Sequence, residues 1–301
     1  MNNTYSNKNT FHDFLILKKN FEHFCKKYLE KQNIPSKILL DAMNYTLLGS
    51  AKRIRPLLSY IFGKSFLILS NQDLNLIAFA IESIHTYSLV HDDLPCMDDA
   101  NLRRGKESCH IKFDYATAVL VGDALQSIAF EAISELNCTY SGKIKKMLKC
   151  LSTNIGARNM ISGQQLDIEI HKKSITTNYL DELYLYKTSK LLESSIMLPF
   201  YLSDFYTDKN LEENLIYFSK ILGIAFQIKD DILDVTSNKE YLGKNVGNDK
   251  KLKKKTYPEV LGIEFSKKRL SILVNKLEQY IHKFNFNNTK ELLKIIKYIF
   301  D

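Results

Sequence analysis

The sequence predicts an all-α protein, and three observations support this fold class. The 301 residues include only 11 glycines and 5 prolines, which is too few for the many turns of a sheet protein. Apolar residues recur at helical spacing rather than in alternation. A hydrophobic content of 45% suffices for a large core, and no linker rich in Pro, Gly or Ser divides the chain. We therefore expect a single helical domain over residues 1–301.

The apolar spacing predicts about ten helices in chain order. In the fourth, Leu74, Ile77, Ile81, Ile84 and Ser88 step by three and four along one face. A lysine-rich stretch at 236–257 interrupts the pattern and is predicted to be a surface loop. The predicted ranges are 11–32, 37–49, 55–70, 73–93, 115–136, 142–172, 178–203, 210–234, 258–283 and 289–300.

The charge and the cysteine content limit which partners and which cellular compartment are expected. The formal net charge of +8 comes from lysines spread along the chain, which favours a solvated surface over a nucleic-acid-binding face. An RNA-binding alternative lacks an aromatic stacking platform and a recognisable motif. Five cysteines without a C-x-x-C pair suit a reducing cytoplasm. No signal-peptide core or run of about 18 apolar residues occurs. We expect a cytoplasmic protein with no nucleic-acid partner and no stable membrane insertion.

The first acidic cluster lies in HDDLPCMDDANLRRG, residues 91–105. It follows an apolar helix, and Pro95 disfavours continuation of that helix. Carboxylates gathered at the end of a buried helix repel one another, and this density of hard oxygen ligands suits Mg²⁺. On an unbroken helix the partner of Asp92 would be Asp99 rather than Asp98, but Pro95 disturbs the register. The spacing leaves both choices open.

The second acidic cluster is FQIKDDILD, residues 226–234. Asp230 and Asp234 are four residues apart and share one face of a helix, with Asp231 beside them. The preceding segment is again apolar. Two such clusters, each with cationic residues nearby, predict a facing pair that binds Mg²⁺ ions on either side of a polyanion.

The basic residues then have a role as ligands of phosphate. Lys52 and Arg55 open a helix, where backbone N–H groups already favour an anion. Arginine binds a phosphate with two hydrogen bonds, whereas lysine acts as a point charge. His85 lies seven residues before Asp92 on nearly the same helical face, and a buried core histidine is the alternative interpretation. The remaining candidates are Arg103, Arg104, Lys187 with Thr188, and Lys244.

Taken together, these motifs resemble those of the trans-isoprenyl diphosphate synthases, of the bacterial farnesyl diphosphate synthase (geranyltranstransferase) type. The first motif matches at Asp92, Asp93, Asp98, Arg103, Arg104 and Gly105, and the second at Phe226, Gln227, Asp230, Asp231 and Asp234. Further matches are K-R-x-R-P at 52–56, His85, G-Q-x-x-D at 163–167, Lys187-Thr188, and L-G-K…K-x-T-Y-P at 242–258. Ser50-Ala51 and Ser189-Lys190 replace residues that the family usually has, and a common C-terminal basic residue is absent.

The resemblance implies a helical bundle around a central cavity, as in isoprenoid synthases, and a homodimer. It implies condensation of isopentenyl diphosphate with dimethylallyl and then geranyl diphosphate, giving farnesyl diphosphate and pyrophosphate. Asp92, Asp98 and Asp230 would bind the Mg²⁺ ions, three with diphosphate bound. Arg103, Lys187 and Lys244 would bind the allylic diphosphate; Lys52, Arg55, His85 and Arg104 would bind isopentenyl diphosphate. Thr188 and Gln227 would stabilise the allylic cation by their oxygen dipoles, and the departing pyrophosphate would accept the proton.

Product length is expected to depend on Tyr87 and Ser88, which precede the first motif. A bulky ring at 87 resembles synthases that stop at farnesyl diphosphate, whereas Ser88 leaves room for a geranylgeranyl product. A terpene cyclase would carry Ser/Thr and Glu ligands in its second motif, which Asp230 to Asp234 do not match. A non-catalytic subunit of a heteromeric prenyl synthase is the alternative from another class, and such subunits tend to lose the aspartates.

Overall fold

The computed structural model describes residues 3–66, 69–138, 140–172, 175–236, 255–284 and 286–301. The fold is all-α, as predicted, with one short hairpin in the described residues. The helices are α1 Asn3–Lys31, α2 Lys37–Leu47, α3 Ile54–Ser65, α4 Asn71–Asp92, α5 Cys109–Lys112, α6 Tyr115–Ser134, α7 Ser141–Ile155, α8 Met160–Ile168, α9 Thr177–Tyr184, α10 Lys190–Leu202, α11 Lys209–Thr236, α12 Tyr257–Leu261, α13 Ile263–Phe284 and α14 Thr289–Phe300. The strands are β1 Leu102–Arg103 and β2 Lys106–Glu107.

Helix α4 lies at the centre of the bundle. It packs against α1, α2, α3, α6 and α10, and nearly every residue from Leu74 to Ile84 is buried. A helix that is apolar on all sides is stable only when other elements surround it. The main core extends from α4 to α11 and α14, and a smaller core joins α9, α11 and α12. The acidic ends of α4 and α11 are therefore supported by close-packed helices.

Three of the predicted helices are interrupted in the structure. The predicted helix 142–172 breaks after Ile155, where Gly156 takes an extended conformation, and it ends in a 3₁₀ turn at Glu169–Lys172. The predicted helix 178–203 contains a π turn at Leu185–Ser189. The predicted helix 258–283 breaks at Gly262, whose φ of +81° is readily adopted only by glycine. Apolar spacing continues through all three breaks, so it could not reveal them.

The hairpin after the first acidic cluster was not predicted. Leu102 pairs with Glu107 and Arg103 with Lys106, which leaves Arg104 and Gly105 as the two turn residues. Their φ angles are +54° and +78°, as a two-residue type I′ turn requires. Glycine adopts this conformation without strain, whereas Arg104 does so at a cost of about 1 kcal/mol. The turn holds Arg104 in a fixed position beside α4.

One described helix, α6, is long and apolar enough to cross a membrane by length and composition alone. Half of this helix is buried inside the structure, where it packs along α4. The core helices of globular proteins pass the same test. Its outer face carries exposed apolar side chains at Tyr115, Val119 and Leu120.

Candidate active site

The first acidic segment folds back on the end of α4. Asp92 is the last residue of this helix, and the N–H of Asp98 donates to the Asp92 carbonyl at 2.8 Å. Asp99 follows with a φ of +47° and is exposed to solvent. The loop around Pro95 thus brings Asp98, rather than Asp99, next to Asp92, which the sequence spacing left undecided.

Asp93 is committed to an ion pair with Arg103. Its side chain is only 3% exposed, and Nε of Arg103 donates to both of its carboxylate oxygens, at 3.0 and 3.1 Å. Nη2 of Arg103 donates to the same carboxylate. A bidentate pair of this kind fixes both side chains. Asp93 therefore anchors the hairpin strand β1 to the end of α4.

The second acidic segment is built around a buried carboxylate, Asp231. The hydroxyl of Tyr184 and the backbone N–H of Tyr257 both donate to its Oδ2, the latter at 3.2 Å. Nε2 of Gln227 donates to Oδ1 at 3.1 Å. Asp231 thus joins α9, α11 and α12, while its neighbour Asp230 is half-buried. Burial and the charge of Asp231 raise the pKa of Tyr184 well above its usual value, so this phenol stays protonated as a donor.

The π turn presents Lys187 and Thr188 beside α11. Thr188 Oγ1 donates to Oε1 of Gln227 at 2.9 Å, and Lys187 Nζ donates to Asp167 at 2.5 Å. Gly163 of α8 lies directly against this turn, because a Cβ there would be 2.4 Å from the backbone N of Lys187. π turns inside α-helices occur frequently at functional sites. The motif G-Q-x-x-D is explained by this contact: Gly163 allows the close approach, and Asp167 pairs with the lysine.

Arg55 links α3 to both acidic helices. Its Nη1 lies 3.3 Å from Nε2 of His85 on α4, and its guanidinium lies 6.0 Å from the centre of the Phe226 ring on α11. Burial lowers the pKa of Arg55 to about 10, and the charge of Asp230 opposes this shift. Burial, followed by the charges of Arg55 and Arg104, holds the pKa of His85 well below its usual value. His85 is therefore a neutral imidazole among cations.

The other predicted basic residues differ in their surroundings. Lys52 is exposed just before α3, whereas Arg53 is buried in a left-handed conformation with a φ of +53°. Arg53 binds two carboxylates and the carbonyl of Gly49, so it is a structural residue. Arg104 is about one-fifth exposed at the hairpin turn. Lys244 lies outside the described residues, as does most of the predicted loop around it.

The two residues predicted to control product length lie on α4 but have different contacts. Tyr87 is 7% exposed and packs edge-on against His91, with ring centres 5.9 Å apart. Ser88 is half-buried, and its hydroxyl donates to the carbonyl of His85 at 2.9 Å. The bulky ring is thus buried against the residue that precedes Asp92.

The sequence assigned no role to Glu82, Tyr184 or Tyr257, although each contacts a predicted site residue. Tyr257 lies in the K-x-T-Y-P match, which is the signal that could have identified it. Tyr184 and Glu82 carry no such signal, since a single tyrosine or glutamate in an apolar helix has no distinctive spacing.

The donor set fits Mg²⁺ better than a metal held by protein ligands alone. Among the described residues, no group of three or more His, Cys, Asp or Glu side chains is placed to bind one ion. Mg²⁺ is usually bound by one or two carboxylates and completes its shell with water and substrate phosphates. Asp92 also lies at the negative end of the α4 dipole, where a carboxylate favours a nearby cation.

Comparison with known proteins agrees with this chemistry. Residues 36–299 match the family model described as polyprenyl synthetase. The farnesyl diphosphate synthase of Haemophilus influenzae is 42% identical over 88% of this chain and 88% of that protein. A chloroplastic geranylgeranyl pyrophosphate synthase of Capsicum annuum is 38% identical over 87% of this chain and 71% of that protein. A Helicobacter pylori geranyltransferase, solved with magnesium and isoprenyl diphosphate, superposes with a TM-score of 0.82 at 30% identity, covering 96% of each chain.

Proposed function

Because the chain belongs to the polyprenyl synthetase family, we propose the following reaction and residue roles for it. The chain is a prenyltransferase of the farnesyl diphosphate synthase type, which condenses isopentenyl diphosphate with dimethylallyl and then geranyl diphosphate. The observation that carries the site assignment is Arg55, which contacts His85 on α4 and Phe226 on α11 and so joins the two acidic segments.

Asp92, Asp98 and Asp230 are the Mg²⁺ ligands in this proposal. All three are half-buried, whereas Asp93 and Asp231 are buried in hydrogen bonds to protein donors. When bound, Mg²⁺ neutralises the charge that develops on the leaving pyrophosphate, which lowers the barrier to ionisation. Three Mg²⁺ ions, bound together with the diphosphate, suit the charge of a pyrophosphate that lies between two carboxylate segments. The Helicobacter pylori neighbour, solved with magnesium, supports the choice of metal.

Arg103, Lys187 and Lys244 bind the allylic diphosphate. Arg103 is held by its ion pair with Asp93. Lys187, which is on the π turn, is held by its ion pair with Asp167 of α8. Both charges are therefore positioned before the substrate binds. Allylic C–O bond cleavage gives pyrophosphate and an allylic cation. Thr188 and Gln227, joined by a 2.9 Å hydrogen bond, provide oxygen dipoles that stabilise this cation without reacting with it.

Lys52, Arg55, His85 and Arg104 bind isopentenyl diphosphate. Burial lowers the pKa of His85, and the charges of Arg55 and Arg104 lower it further, which supports a shared site for the three side chains. A neutral His85 can donate a hydrogen bond to phosphate without adding charge. The alkene then attacks the allylic cation, a new C–C bond forms, and the departing pyrophosphate accepts the proton that the product loses.

The buried ring of Tyr87 supports a farnesyl product over the geranylgeranyl alternative. It is buried beside the end of α4 and leaves less room there for a longer chain. The non-catalytic alternative is disfavoured, because this chain retains both sets of aspartates, which such subunits tend to lose.

We also propose that the chain is one domain over residues 1–301 and forms a cytoplasmic homodimer. The exposed apolar stripe of Tyr115, Val119 and Leu120 on α6 supports association with a second copy. The five free cysteines, all in the described part of the chain, support a reducing compartment.

The direct test is incubation with isopentenyl and geranyl diphosphates, with Mg²⁺ and with EDTA, followed by mass identification of the hydrolysed alcohols. We expect farnesol as the main product with Mg²⁺ and none with EDTA. Geranylgeraniol as the main product would support the alternative chain length, and no product under either condition would contradict a catalytic role.

A further inference from the structure

A buried carboxylate, Glu82, lies beneath the cationic part of the site. It is on α4, about one turn before His85, and its side chain is 2% exposed. A buried carboxylate is costly unless cations and donors surround it. Its surroundings therefore explain why this position carries a charge inside an otherwise apolar helix.

Glu82 lies among arginines from two segments, the start of α3 and the hairpin turn. Its Oε1 accepts from Nη1 of Arg53 at 2.7 Å and lies 3.9 Å from Nη2 of Arg104. Its charge also opposes the lowering of the Arg55 pKa by burial. The charge of Arg104 disfavours the charged form of Arg55, since it is one cause, after burial, of the lowered Arg55 pKa. Arg53 also binds Glu22, whose side chain is 29% exposed.

We infer that Glu82 is a positioning residue for the isopentenyl diphosphate site. Its carboxylate holds Arg53 in the core and keeps Arg104 and Arg55 close together without an anion between them. This inference rests on the site roles proposed above, because it assumes that Arg55 and Arg104 bind that substrate. It predicts a defect confined to one of the two substrates, since Arg103 and Lys187 have their own carboxylate partners.

The test compares Glu82→Gln with Glu22→Gln. Both variants remove one carboxylate from Arg53, but only Glu82 reaches Arg104. For Glu82→Gln we expect KM for isopentenyl diphosphate to rise about tenfold, equivalent to about 1.4 kcal/mol. KM for geranyl diphosphate and kcat should stay within about twofold of the parent. Glu22→Gln should leave all three parameters unchanged.

If Glu82→Gln does not fold, judged by circular dichroism and thermal melting, Glu82→Asp takes its place. The shorter side chain retains the charge but withdraws it from Arg104, so KM for isopentenyl diphosphate should still rise selectively. An unchanged KM for isopentenyl diphosphate in a folded variant would overturn the inference. So would an equal loss for both substrates. An inactive parent protein would instead contradict the proposed function.

Discussion

Gly163→Ala tests the contact that places Lys187 and Thr188. In an ordinary helix interior, alanine is more stable than glycine by about 0.5–1 kcal/mol. Here the new Cβ would lie 2.4 Å from the backbone N and 2.7 Å from Cα of Lys187, so backbone must move. Overpacking of this kind costs about 1–3 kcal/mol. The cost outweighs the gain in helix propensity, and we expect a net loss on the order of 1–2 kcal/mol.

A loss of this size lowers the melting temperature by about 1.5–3 °C, because an unfolding entropy of about 2.1 cal/mol/K per residue gives about 0.63 kcal/mol/K for 301 residues. The displaced π turn should also weaken the use of geranyl diphosphate, because Lys187 and Thr188 belong to the proposed allylic site. Differential scanning calorimetry measures the first effect, and kcat/KM for geranyl diphosphate at saturating isopentenyl diphosphate measures the second.

Gly142→Ala is the matched control. It also places an alanine in a helix, but its Cβ would meet only the ring of Tyr140, which is 55% exposed and can rotate away. We expect its melting temperature to equal or slightly exceed that of the parent. A Gly163→Ala protein that melts no lower than the parent and retains full activity would refute the reasoning.

Four further outcomes are expected. Asp92→Asn should raise the Mg²⁺ concentration needed for half-maximal activity at least about tenfold while changing the melting temperature little, and an unchanged Mg²⁺ titration would contradict its role as a ligand. Asp231→Asn should destabilise the protein by about 1–3 kcal/mol, measured by urea unfolding, because Tyr184, Tyr257 and Gln227 all donate to this carboxylate. Tyr87→Ala should lengthen the product, and unchanged farnesyl diphosphate on chromatography would disprove this. Since burial and neighbouring arginines hold the pKa of His85 well below its usual value, the pH dependence of KM for isopentenyl diphosphate between about pH 6 and 8 should be the same in the parent and in His85→Asn. The terminal phosphate of the substrate itself ionises at about pH 6, so a step that disappears in the variant would show that this imidazole titrates.

The sequence predicted the elements whose patterns are local. The apolar spacing identified α4 and α11, and the acidic clusters at their ends were located to the residue. The two basic groups around Arg55 and Arg103 were also proposed from the sequence, because their spacing from those clusters can be read directly from the chain.

Other features depend on contacts that the spacing of residue types along the chain does not reveal. The nearness of Asp98 to Asp92 arises from a loop whose backbone bonds to the end of α4. The π turn at Leu185–Ser189 interrupts a continuous apolar pattern, and it is accommodated by Gly163 on a different helix. Asp231 is buried while its neighbour Asp230 is only half-buried, and this difference likewise requires Tyr184 and Tyr257, which are distant in sequence.

The contact between Ser189 and Gly223 has a consequence for exchanging segments between relatives. A Cβ on Gly223 would lie 2.3 Å from the Ser189 Cα, an atom that every residue type at 189 has. The close approach of α11 to the π turn therefore depends on the missing side chain of Gly223. A chimera that imports α11 from a homologue with a larger residue at 223 would need the backbone of the π turn to move as well, so these two segments must be inherited together.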